Sequence, residues 1–82
     1  MEATYVRSLT SRLEEYYSAL NADGSGRWAE QLELVRRFSR IVDGDVTGDL
    51  AALHEAVVRL EAARGGSALL ELRLAIEHVL GR

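Results

Sequence analysis

The 82-residue chain contains no cysteine and no proline, and all ten of its basic residues are arginine. Without cysteine there is no disulfide frame, no thiolate metal site and no thiol nucleophile. Without proline, no helix is kinked or stopped by a ring that lacks an N–H. Glycine must therefore punctuate the chain. Apolar runs of membrane-spanning length are missing, as is a basic stretch leading into an apolar one, so neither a membrane span nor a secretion signal is expected. Cytoplasmic is the expected location. Arginine without lysine, beside plentiful alanine and glycine, matches GC-rich codons and points to a bacterial or phage source. Thirteen acidic residues outnumber the basic ones and leave a net charge of −3. A general nucleic-acid binder shows the opposite balance or a basic stripe.

A chain of this size makes one domain, near the lower end of what folds alone. Surface scaling gives about 4,900 Å² for the folded chain against about 13,000 Å² unfolded. Apolar burial then contributes on the order of 125 kcal/mol, and ordering the chain at about 1.5 kcal/mol per residue costs almost the same. A monomer so balanced is marginal, and a partner or a second copy is expected.

The seven glycines fall at Gly24 and Gly26, Gly44 and Gly48, Gly65 and Gly66, and Gly81. Glycine clusters between periodic segments mark helix ends, which divides the chain into helices over about 3–20, 27–42, 49–64 and 67–80. Ser25 or Asp23, Thr47 or Asp49, and Ser67 stand where N-caps belong. Gly44 and Gly65 stand where a left-handed C-terminal residue is wanted. No strand-period pattern of useful length occurs. The expected fold is all-α, a compact bundle of four short antiparallel helices, with the last two able to run as one bent helix across Gly65-Gly66.

Helical periodicity assigns the faces. In the first segment Tyr5, Val6, Leu9, Leu13, Tyr16, Tyr17 and Leu20 share one stripe. The second is broader, with Trp28, Leu32, Leu34, Val35, Phe38, Ile41 and Val42 covering about half the cylinder. The third presents Leu50, Leu53, Ala56, Val57 and Leu60, and leaves Val58 outside. The fourth presents Leu69, Leu72, Ala75, Ile76, Val79 and Leu80. Leu70 and Leu74 form a second strip on its opposite side, and such a strip needs cover, either from a neighbouring helix or from a partner.

Two loops resemble the start of a calcium-binding EF-hand. "NADGSG" sets Asn21, Asp23 and Ser25 at alternate positions before Gly26, and "DGDVTG" does the same with Asp43, Asp45, Thr47 and Gly48. A functional loop ends in a bidentate glutamate at its twelfth position. Here the twelfth residues are Leu32 and His54, and the glutamates, Glu33 and Glu55, come one residue late. One residue on a helix turns a side chain by about 100°. Both stretches read better as turns that reverse the chain and cap the next helix, with Asn21, Asp23, Ser25, Asp43, Asp45 and Thr47 as metal ligands only in the alternative reading.

No catalytic constellation stands out. His54 and His78 have no second histidine at helical spacing, and there is no Gly-x-Ser-x-Gly elbow, P-loop or His-Glu-x-x-His motif. His78 is placed to meet Glu71 or Glu77. Arg12, Arg37 and Arg59 edge the apolar stripes, where an anion-binding cleft of a small helical mutase could be built, although arginine stems commonly cover apolar surface there. Arg36, Arg37 and Arg40 end the second helix, where positive charge suits its dipole. The expected function is thus a non-enzymatic protein–protein interaction module, an acidic helical adaptor, chaperone or inhibitor, with a protein partner or a homo-oligomer. Leu70, Leu74 and Val58 are the expected interface. No cofactor, nucleic acid, membrane or small-molecule substrate is expected. The alternatives are a calcium sensor using the two turns and a small ligand-binding or mutase-like enzyme at a dimer interface.

Overall fold

The computed structural model describes residues 3–44 and 49–81. Among them are four α-helices: α1 (Ala3–Leu20), α2 (Ala29–Val42), α3 (Leu50–Arg64) and α4 (Ser67–Leu80), with one 3₁₀ turn at Asn21–Asp23 between the first two. The four-helix all-α bundle matches the glycine punctuation. The last two helices are separate rather than one bent helix. Gly65 (φ +70°, ψ −160°) and Gly66 (φ +103°, ψ 140°) lie between them, in conformations that a residue with a Cβ rarely takes.

The core is one cluster assembled from all four helices. α1 buries Val6, Leu9, Leu13 and Tyr17; α2 buries Leu34, Val35 and Phe38; α3 buries Leu53, Val57 and Leu60; α4 buries Leu69, Leu72, Ala75 and Ile76. These are the spacings of single helical faces, so the apolar stripes carry over directly into packing. Trp28, Leu32, Ile41 and Val42 are partly buried against the cluster, as are Leu50, Ala56, Val79 and Leu80. Burial raises the Tyr17 hydroxyl to about 12, because the phenolate loses its hydration there.

Among the described residues two polar side chains are buried outside the apolar pattern, Thr10 and Gln31. Thr10 is satisfied locally, its hydroxyl donating to the Arg7 carbonyl at 3.0 Å, a back-bond common for helical threonine. Gln31 is only 1% exposed, and neither its Oε1 nor its Nε2 has a hydrogen-bond partner.

Charged pairs fix the register between helices. Arg7 to Asp43 (3.3 Å) and Arg36 to Glu14 (3.5 Å) run α1 antiparallel to α2. His54 to Glu77 (2.9 Å) and Arg73 to Glu61 run α3 antiparallel to α4. α1 also lies along α4, with Arg12 on Glu71 (3.4 Å) and the Tyr5 ring edge-on to His78. α1 packs most closely on α2 and α3 on α4, with α2 against α3 and α1 against α4 closing the ring. Each of α1 and α3 is therefore a neighbour of α4, and α2 lies across the core from it.

The caps differ in detail from expectation. Asp49 caps α3, its carboxylate accepting from the Ala52 amide at 3.1 Å. Ser67 is the first residue of α4 rather than its cap, and Gly66 precedes it without a side-chain bond. α2 begins at Ala29, two residues later than expected, and its N-cap is Trp28 rather than Ser25 or Asp23. The reason lies in the loop itself.

Candidate functional site: an apolar face around helix α4

The loop Asn21–Gly26 uses its side-chain oxygens on its own backbone. Asn21 Oδ1 accepts from the Trp28 amide at 3.0 Å, Asp23 Oδ1 from the Ser25 amide at 2.9 Å, and Ser25 Oγ from the Arg27 amide at 3.2 Å. Each oxygen of the alternating set serves an amide at or before the start of α2. The Ser25 bonds hold the Asp23 carboxyl below its ordinary value. Glu33, one residue past the twelfth position, faces Arg40 at 3.5 Å on the same helix. In the second loop Asp43 pairs with Arg7, while Asp45 and Thr47 lie outside the described residues. Among the described residues no three histidine or acidic side chains come together as metal ligands would.

The expected interface residues are brought to one region, with two additions from α1. The exposed large apolar side chains are Tyr5 (53%), Tyr16 (51%), Leu74 (50%), Val58 (39%) and Leu70 (38%). Leu70 and Leu74 project from α4 on the side away from the core stripe. Val58 sits on the side of α3 next to α4. It lies four residues from His54 and three from Glu61, so the three share a helical stripe, and both charged neighbours reach across to α4. Tyr5 lies against His78 near the C-terminal end of α4. Tyr16 lines a groove with Arg12, Leu13, Ser67, Ala68 and Glu71 beside the N-terminal end of α4. All five side chains thus border one face with α4 at its centre, α1 on one flank and α3 on the other. Among the described residues α2 contributes none.

Tyr5 and Tyr16 were expected in the core stripe of α1. They stand half exposed at the edge of the stripe that faces α4, where Tyr5 meets the edge of the His78 ring and Tyr16 lines an open groove with Ser67 and Ala68. Their distance from the centre of the stripe, set by Val6, Leu9, Leu13 and Tyr17, was the available signal.

Six ionisable groups at this face meet one another, while Glu55 and Arg59 flank Val58 in a groove of α3. Glu77 Oε2 receives His54 Nε2 at 2.9 Å and Arg73 Nη1 at 3.1 Å, and Arg73 Nε donates to Glu61 Oε1. The bonds from His54 and then Arg73 hold the Glu77 carboxyl below its usual range. The bonds to Glu61 and Glu77 raise Arg73. On the other flank Arg12 meets Glu71. His54 meets Glu77 because the α3–α4 register sets the two opposite each other. His78 meets the Tyr5 ring edge-on.

The arginines at the stripe margins do not converge. Arg12, Arg37 and Arg59 stand on three different helices, and Arg12 and Arg59 line different grooves, the latter with His54, Glu55 and Val58. Among the described residues no charged side chain is fully buried. No helix of the described residues is long and apolar enough to cross a membrane. No protein-family model, curated protein or solved structure matches the chain.

Proposed function

We propose that the chain is a non-enzymatic protein–protein interaction module that docks a protein partner on the face formed by α1, α4 and α3. One observation carries this reading: among the described residues all five exposed large apolar side chains border that face. Tyrosine, leucine and arginine with little unpaired charge is the composition of an interface core, where desolvating a lone charge is costly. Arg73, Glu61, Glu77 and His54 already satisfy one another, so covering them strands no charge. A specific interface takes about 800 Å² from each partner, about a sixth of the 4982 Å² that this chain exposes. Contact by helix packing, with Leu70 and Leu74 as central anchors, fits the exposed helical surface.

The test compares two baits in extract of the native host, the wild-type chain and Leu70→Glu/Leu74→Glu, after circular dichroism shows equal helicity. A protein retained by the first and lost by the second is the expected result. Identical sets of captured proteins contradict the proposal.

A further inference from the structure

We infer that the face around α4 is self-complementary and that its occupant is a second copy of this chain, bound antiparallel about a two-fold axis. This rests on the interaction reading above and names its partner. The observation is the order of the apolar groups along the face. α1 and α4 run antiparallel, with Arg12 against Glu71, Tyr5 against His78 and Tyr16 beside Ser67 and Ala68. Along α1 and α4, read from the N-terminal end of α4, the exposed apolar groups therefore come as Tyr16, Leu70, Leu74 and Tyr5, while Val58 on the α3 flank stands outside this order. That order of aromatic, aliphatic, aliphatic, aromatic is the same from either end.

An isologous two-fold contact requires such a pattern, because every residue must meet a position that its own partner residue vacates. With the axis perpendicular to α4 and level with Leu72, Leu70 of one copy faces Leu74 of the other. At the same time Tyr16 comes level with the other copy's Tyr5. The levels agree to within about two residues, about 3 Å along a helix: Tyr16 stands beside residues 67 and 68 and Tyr5 beside residue 78, on either side of the leucine pair.

Charge supports a second copy over a charged partner. The face holds Arg12 paired with Glu71; Arg73, Glu61, Glu77 and His54 in one network; and Glu55 and Arg59, of opposite sign, beside Val58. It is close to neutral on a protein of net charge −3. It offers no field to an acidic or basic peptide, and two copies bring together surfaces that do not repel.

The chain has no cysteine, so single cysteines report on the register cleanly. Tyr5→Cys and Tyr16→Cys are prepared separately, mixed in equal amounts, and treated with a short bismaleimide. Sedimentation equilibrium is run on the wild type, on Leu74→Arg and on Leu70→Glu/Leu74→Glu, with helicity checked for each. A wild-type dimer at micromolar concentration is expected, weakened at least tenfold in both α4 variants. Covalent dimer should form several times faster in the mixture than in either cysteine variant alone. A wild type that stays monomeric at hundreds of micromolar overturns the second copy, and so does a dimer that survives both α4 variants. Faster cross-linking of Tyr5→Cys with itself overturns the antiparallel order. None of these results decides the interaction module, which stands or falls with the bait comparison.

Discussion

Gln31 puts an amide in the middle of the core-facing stripe of α2, one turn before Leu34 and Val35 and two before Phe38, with both of its polar atoms unpartnered. An unsatisfied buried polar group costs about 1–3 kcal/mol. Gln31→Leu keeps nearly the same volume and removes that cost, so it should raise unfolding free energy by about 1–3 kcal/mol in urea titrations. A loss of stability would mean that the amide has a partner. Thr10, the other buried polar residue, calls for no such gain, since its hydroxyl is satisfied within α1. Neither burial was legible from the alternation of apolar letters. Both residues occupy positions on a buried face, and only the helix phase, taken ahead of residue type, could have found them.

At the scale of elements, the glycine joints and apolar periods carried most of the architecture. The boundaries of α1 and α4 fall where the periodic stripes end, because a stripe that must be buried defines its own helix. The start of α2 was harder to read. Asn21, Asp23 and Ser25 are all good cap residues, and the chain uses all three within the loop, so the helix proper begins only at Ala29. Adding millimolar calcium should leave the melting temperature unchanged, since a ligand binding only the native state raises it. Asn21→Ala should cost about 1 kcal/mol by leaving the Trp28 amide without its acceptor, as a urea titration would show. Gly66 separates α3 from α4 at φ +103°, with open space where a Cβ would lie. Any loss in Gly66→Ala is therefore backbone strain, about 1–3 kcal/mol.

The clasp between α3 and α4 has a pH signature. The Glu77 carboxyl is held low by His54 and Arg73, so its folded value lies below its unfolded one. Its contribution to stability is fully present above the ordinary glutamate value of about 4.3 and is lost as pH falls through the lowered folded value. Acid titration of Glu77→Gln should show a shallower loss of stability below that range than the wild type. Equal slopes would place the bond outside the folding balance. The clasp was only partly legible in the sequence. Arg73 and Glu77 are one turn apart on α4, but their partners lie across a helix boundary whose register periodicity does not reveal.

At the scale of the molecule, the helices divide by how many faces they must cover. α1 and α2 bury one stripe each and show mostly charged or polar residues elsewhere. α3 and α4 carry Val58, Leu70 and Leu74 outside their core stripes, and among the described residues α4 has a close neighbour on each flank but none outside. Leu70, Leu74 and Val58 were recognisable as surplus from the helical wheel alone. Tyr5 and Tyr16 were not, because their membership of this face depends on how α1 lies along α4. That packing adds the two tyrosines to the face and sets four of its five apolar residues, Tyr16, Leu70, Leu74 and Tyr5, in palindromic order, and from it follows an expectation for the whole protein in solution.

The most direct measurement is a ¹H–¹⁵N correlation series of the wild-type chain over dilution from high micromolar concentration. The account predicts concentration-dependent shifts centred on Tyr5, Tyr16, Val58, Leu70 and Leu74, with Glu33 and Arg40 on the open side of α2 unmoved. Superimposable spectra throughout the series, or shifts centred on α2, would contradict it.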